Sequence, residues 1–151
     1  MRFLVRAHQV PIRLTVGAFI LNSGLSKIQA LDESADATHG MAKTAYPFLE
    51  SQDARTFTRN LARAELALGS ALLAPFVPSL VAGAALTAFS AGLAGLYLRL
   101  PGMRQEGGIR PTQEGIALAK DTWLVGAGAS LVLDELTRPR GDRRRRRRFC
   151  A

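Results

Sequence analysis

Four charged side chains interrupt otherwise apolar sequence: Lys27, Glu65, Lys120 and Asp121. Two cations and two carboxylates can neutralise one another. In a low-dielectric setting such groups need partners, water or a ligand. Asn22, Ser23 and Ser26 lie within about a turn of Lys27 on a helix and can extend a buried polar network around it. Lys120 and Asp121 are neighbours, so on a helix they point about 100° apart and do not face each other. The pattern therefore predicts pairing between helices: Lys27 with Glu65 or Asp121, and Lys120 with the carboxylate that remains. Such a set can do two things. It can hold a helix bundle in register, or it can line a polar pocket for a small polar molecule, a proton or a quinone head group.

Little else in the chain carries chemistry of its own. There is one cysteine, Cys150, and there are two histidines, His8 and His39, far apart in sequence. An internal disulfide is excluded, and no ligand spacing for a metal is present, so no metal is expected. Both histidines read as exposed residues. Asp134 and Glu135 end the last apolar stretch, where a helix C-terminus disfavours acids, and Arg138 at i+4 is the local partner expected for Asp134.

The elements that must position the four charges are apolar stretches at about residues 11–31, 57–77, 80–100 and 115–136. Each approaches the roughly 20 residues a helix needs to cross a hydrocarbon core. The stretch from Leu80 to Leu98 has only Thr87, Ser90 and Tyr97 as polar side chains, so it lacks the polar face of a soluble amphipathic helix. Ala84, Ala88, Ala91, Gly92 and Gly95 form a stripe of small residues there, and Gly126 and Ser130 repeat small-xxx-small spacing in the last stretch. The expected fold is all-α, an integral membrane four-helix antiparallel bundle over residues 11–136. Residues 1–10 would be a cytoplasmic N-terminal segment and residues 137–151 an Arg-rich cytoplasmic tail. Pro75-Phe76-Val77-Pro78-Ser79 reads as a tight turn, and residues 101–113 as a loop punctuated by Gly and Pro. Within the long connection 32–56, Met41, Ala45, Phe48 and Leu49 share one helical face, which predicts a short helix on the bilayer surface. Asp53 reads as the N-cap of the second stretch.

Charge sets orientation and partners. The chain has 151 residues and a net charge of +8, yet a mean hydropathy of +0.08. Arg143, Arg144, Arg145, Arg146, Arg147 and Arg148 form an unbroken run. With Arg2, Arg6, Arg13, Arg138 and Arg140 they give the terminal side the larger cationic excess, which places both termini in the cytoplasm and the chain in the inner (plasma) membrane as a multi-pass protein. Beside a membrane helix, a polybasic run suits anionic lipid headgroups, and no nucleic-acid partner is expected. Arg2, Arg6 and Arg13 before Leu14–Leu21 resemble the start of a signal peptide, but Ile28-Gln29-Ala30 is a poor cleavage site. With this topology, all four interior charges fall in the outer half of the bilayer.

Three segments resemble the DoxX-like family of small four-helix membrane proteins. Ser23-Gly24-Leu25-Ser26-Lys27-Ile28 is similar to the Gly-x-x-Lys element that ends the family's first helix. Ala64-Glu65-Leu66-Ala67-Leu68-Gly69 is similar to the Ala-Glu and Gly/Leu-rich run of its second. Gly126-Ala127-Gly128-Ala129-Ser130-Leu131-Val132-Leu133-Asp134 is similar to the Gly-x-Gly then Ser-Leu-Asp pattern of its last, with Asp134 one residue late and Val132 in place of a serine. The resemblance covers about residues 10–136. It implies a redox-associated membrane protein: an accessory subunit of a membrane oxidoreductase or respiratory assembly, with other membrane subunits or further copies of itself as partners. The alternatives are a quinone- or small-solute-binding catalytic subunit that uses the interior Lys, Glu and Asp, and a small oligomeric transporter. Any redox chemistry would come from a bound quinone or a partner, with no covalently bound cofactor.

Overall fold

The computed structural model of the chain describes residues 5–105 and 107–137. These residues form six α-helices: α1 (Val10–Gln29), α2 (Leu31–Ala45), α3 (Ala54–Leu73), α4 (Ser79–Arg99), α5 (Ile116–Lys120) and α6 (Thr122–Leu136). Short 3-10 turns precede α1 at Ala7–Gln9 and follow α2 at Pro47–Leu49. No strand is present among the described residues. A single antiparallel bridge, Arg104 to Pro111, closes the loop before α5.

Two helices are long and apolar enough to cross a membrane: Ser79–Arg99, and the α5–α6 segment Ile116–Leu136 taken as one. α1 and α3 have 20 residues each, but α3 carries Arg55, Arg59, Arg63 and Glu65, with the three arginines on its exposed side.

The helices are arranged as two tightly packed pairs, α1 with α3 and α4 with α6. In each pair the contact is centred on glycine. A Cβ on Gly69 would lie 2.7 Å from the Leu21 backbone nitrogen and 2.9 Å from the Gly17 carbonyl. A Cβ on Gly83 would lie 2.9 Å from the Gly128 carbonyl. Only hydrogen fits at such separations, so these glycines let the backbones touch. The two pairs share one apolar core: Val16 and Ile20 from α1, Leu68 and Leu72 from α3, Ala82 and Leu86 from α4, and Leu124, Ala127 and Leu131 from α6. The small stripe expected to pack helix on helix divides instead: Ala84, Ala91, Gly126 and Ser130 are exposed, Ala88 and Gly92 line a cavity, and Gly95 packs against Tyr46. The buried line runs one or two positions away, through Gly83 and Gly128, because the pairing register puts those backbones in contact.

The connection 32–56 departs most from expectation. α1 stops at Ala30 (φ −103°, ψ 30°), and α2 starts at the next residue, so a 15-residue helix replaces the short one predicted around Met41 to Leu49. Its buried face is Ala35, His39, Ala42 and Ala45, turned mainly toward α3, while Met41 and Phe48 are exposed. Small residues on that face allow α2 to lie close to α3 and α4. Asp53 caps α3 as expected, accepting a hydrogen bond from the Thr56 backbone N–H at 2.8 Å. The 75–78 turn joins α3 to α4, and α4 begins at Ser79 directly after Pro78.

Candidate functional site

Antiparallel packing of α1 on α3 brings Lys27, in the last turn of α1, over the middle of α3. The Lys27 Nζ donates to Glu65 Oε1 at 2.9 Å, to Glu65 Oε2 at 3.0 Å and to Ser23 Oγ at 2.8 Å. The Glu65 side chain is 5% exposed and that of Lys27 24%. Ser23 is one turn before Lys27, and Gly24 makes the approach possible, since a Cβ there would lie 2.9 Å from the Ala62 carbonyl. An ammonium has three N–H bonds, and these three oxygens match them.

The pair lines a cavity of about 490 Å³ bounded by α1, α2, α3, α4 and the α5–α6 junction. Most of its wall is apolar, including Ile20, Leu61, Phe89, Leu93 and Leu124. Asp121 also lines it. It occupies a break in the helical ladder, where its N–H bonds Leu118 O and its carbonyl accepts from Leu124 N, both at 3.1 Å and both i to i+3. Among the described residues no donor bonds its carboxylate. The volume falls within the range of small-molecule sites, which are mostly apolar with a few convergent polar groups.

The other candidates go elsewhere. Lys120 is exposed, not buried, because its position next to Asp121 turns it to the outer face. Asn22 and Ser26 are exposed as well, and the Ser26 hydroxyl donates to the Asn22 carbonyl at 2.9 Å. With Ser23 and Lys27 they border a shallower groove beside Ala30, Ser34 and Thr38. The expected network of seven residues thus reduces to Lys27, Glu65, Asp121 and Ser23. The Arg143–Arg148 run and Arg138 lie outside the described residues. Among the described residues no group of three or more His, Cys, Asp or Glu is placed to hold a metal.

A second polar cluster, which the charge pattern did not reveal, sits at the opposite end of the helices. Arg13, 2% exposed, donates to the carbonyls of Ala71, Leu72, Ala74 and Val77 and to Ser79 Oγ, at 2.8–3.2 Å. It thereby satisfies the free carbonyls at the end of α3, where a cation also suits the helix dipole. Ser79 Oγ donates to Gln9 Oε1 at 2.7 Å. Gln9 Nε2 donates to Asp134, whose other oxygen accepts from Arg6 Nη1 at 2.8 Å. His8, exposed as expected, reaches Asp134 Oδ2 at 3.2 Å. Asp134 is thus held by the segment before α1. His39, expected in an exposed loop, is buried, and its Nε2 donates to the Leu49 carbonyl at 2.9 Å. Arg6, His8, Arg13 and Asp134 each stood out in the sequence, but nothing local there joins residues 6–13 to residue 134.

No family model, no curated protein and no solved structure matches the chain.

Proposed function

We propose that the chain is a DoxX-like integral membrane protein that serves a membrane oxidoreductase assembly in the inner membrane and holds a small amphipathic molecule, of which a quinone is one candidate. In this reading α1, α3, α4 and the α5–α6 segment are four antiparallel spans, both termini are cytoplasmic, and the arginine run rests on anionic headgroups. The observation that carries the ligand-binding part is the cavity beside the Lys27–Glu65 pair: apolar walls, a volume of about 490 Å³ and three ionisable groups in its lining. Support for the membrane setting comes from large apolar residues exposed around the molecule. Leu14, Phe19, Leu25 and Ile28 are exposed on α1, Leu80, Val81 and Leu98 on α4, and Trp123 and Leu133 on α6. A soluble monomer rarely leaves so much apolar surface facing water.

A second reading has an observation of its own. The three contacts of Lys27 satisfy its ammonium within the protein, as expected of a pair that only fixes the register of α1 on α3. The protein would then be an accessory subunit without a ligand.

Native mass spectrometry after gentle extraction from the protein's own membrane tests both. A bound small molecule on the chain, alone or in a complex with a redox enzyme, is the expected result. A ligand-free chain in such a complex would favour the accessory reading. A ligand-free chain with no partner would overturn the proposal.

A further inference from the structure

We infer that the cavity takes an organic ammonium ion with apolar substituents. The inference names the ligand class of the site proposed above and rests on reading that cavity as a ligand site. Three charges meet the cavity: Lys27, Glu65 and Asp121. Lys27 and Glu65 neutralise each other at 2.9 Å, and the three N–H bonds of the ammonium are matched by Glu65 and Ser23. Apart from the Thr38 hydroxyl, the polar capacity left over is that of acceptors: the Asp121 carboxylate, which no described donor bonds, and the remaining lone pairs of Glu65. The cavity carries one net negative charge within apolar walls, and a mobile cation is the complement such a site lacks. The aromatic lining agrees. Phe19, Phe57 and Phe89 border the cavity, and aromatic rings beside a carboxylate attract alkylated ammonium groups through the ring quadrupole. An anion would meet Asp121 and Glu65 with no free donor from Lys27 to offset them. A neutral acceptor such as a quinone carbonyl would find only the Thr38 hydroxyl as a donor, a weaker complement than two carboxylates offer a cation.

The test uses the full chain in a nonionic detergent and titrates hexyltrimethylammonium, with hexanoate and hexan-1-ol as the anionic and neutral comparisons. Trp123 is the chain's only tryptophan, next to Leu124 of the cavity wall, and its ring centroid lies 6.3 Å from that of Phe19. Its emission reports occupancy. The expected result is saturable binding of the ammonium at least tenfold tighter than of the other two probes. Asp121→Asn is expected to weaken it about tenfold, and Phe89→Leu several-fold, with helical content unchanged. Should Asp121→Asn fail to fold, the comparison of the three probes on the unaltered chain and the Phe89→Leu variant decide the matter. Equal or tighter binding of hexanoate or hexan-1-ol, or ammonium binding that Asp121→Asn leaves intact, overturns the inference while the cavity keeps its role as a ligand site. Saturable binding of none of the three overturns the ammonium assignment, and native mass spectrometry then decides whether any ligand is held.

Discussion

Lys27 and Glu65 show how two magnitudes settle what an ion pair does. Interhelical polar contacts in membranes average only about 0.6 kcal/mol in net stability. Removing one partner of a buried pair, however, costs about 3–5 kcal/mol, because the other charge stays buried and unpaired. Lys27→Met and Glu65→Gln should therefore differ in effect from their combination. Lys27→Met alone is expected to lower the thermal midpoint in detergent strongly, and the double variant Lys27→Met/Glu65→Gln to recover most of the loss. A double variant as unstable as Lys27→Met would show that the pair contributes more than register. Arg13 works by another route. Its guanidinium satisfies four backbone carbonyls and a hydroxyl at once, which the three N–H bonds of a lysine cannot do. Arg13→Lys is expected to be destabilising and Arg13→Leu more so, by about 3 kcal/mol or more given that unsatisfied buried acceptors cost about 1–3 kcal/mol each. Thermal unfolding followed by circular dichroism measures both.

At the scale of the element, glycine position separates contact from exposure. Gly69→Ala would drive a methyl group against the α1 backbone and is expected to cost about 1–3 kcal/mol through overpacking. Gly126→Ala meets nothing within 4 Å, and removing a helical glycine is expected to gain about 0.5–1 kcal/mol. If the two variants melt alike, the α1–α3 contact is not where the structure puts it. The start of α3 adds a pH dependence. The Asp53 carboxyl is held below its ordinary value, first by the hydrogen bond from the Thr56 backbone N–H and then by the Thr56 hydroxyl. A carboxyl with a lowered folded pKa stabilises the protein above its unfolded value and loses that contribution as pH falls through the folded one. Between about pH 5 and about pH 3, spanning the usual Asp range, the unaltered chain is expected to lose stability more than Asp53→Asn does. Asparagine keeps the cap but does not titrate there. Parallel melting curves of the two proteins across that range check it.

For the whole molecule, the proposed topology puts Cys150 inside the cell and the α2–α3 connection outside. A membrane-impermeant maleimide is expected to label Cys150 only after permeabilisation. In a Cys150→Ser background, Glu50→Cys, at an exposed site between α2 and α3, is expected to label in intact cells. The reverse pattern would invert the orientation, and labelling of both in intact cells would exclude three spans between the two sites.

How much of this was legible in the sequence follows from the range over which each signal acts. Helix positions are local: the 3.6-residue period, the Pro75–Pro78 turn and the Asp53 cap each operate within a few residues, so α1, α4 and the α5–α6 segment lie within two residues of the expected stretches, whereas α3 runs Ala54–Leu73 rather than 57–77. The anomaly of Lys27, Glu65 and Asp121 was also local, since a charge within an apolar run needs no structure to be noticed. Which charge meets which is a property of register, and register is decided by backbone contacts such as Gly17 with Gly69 and Gly83 with Gly128, whose participation depends on the whole packed set. The same packing turned Lys120 outward, buried His39, and drew Arg13 onto the carbonyls of α3. Sequence by itself determined an all-helical chain with charges in its apolar stretches. Only the tertiary structure decided that three of those charges share one cavity, because a side chain's partner across a helix interface is set by distances no periodicity encodes.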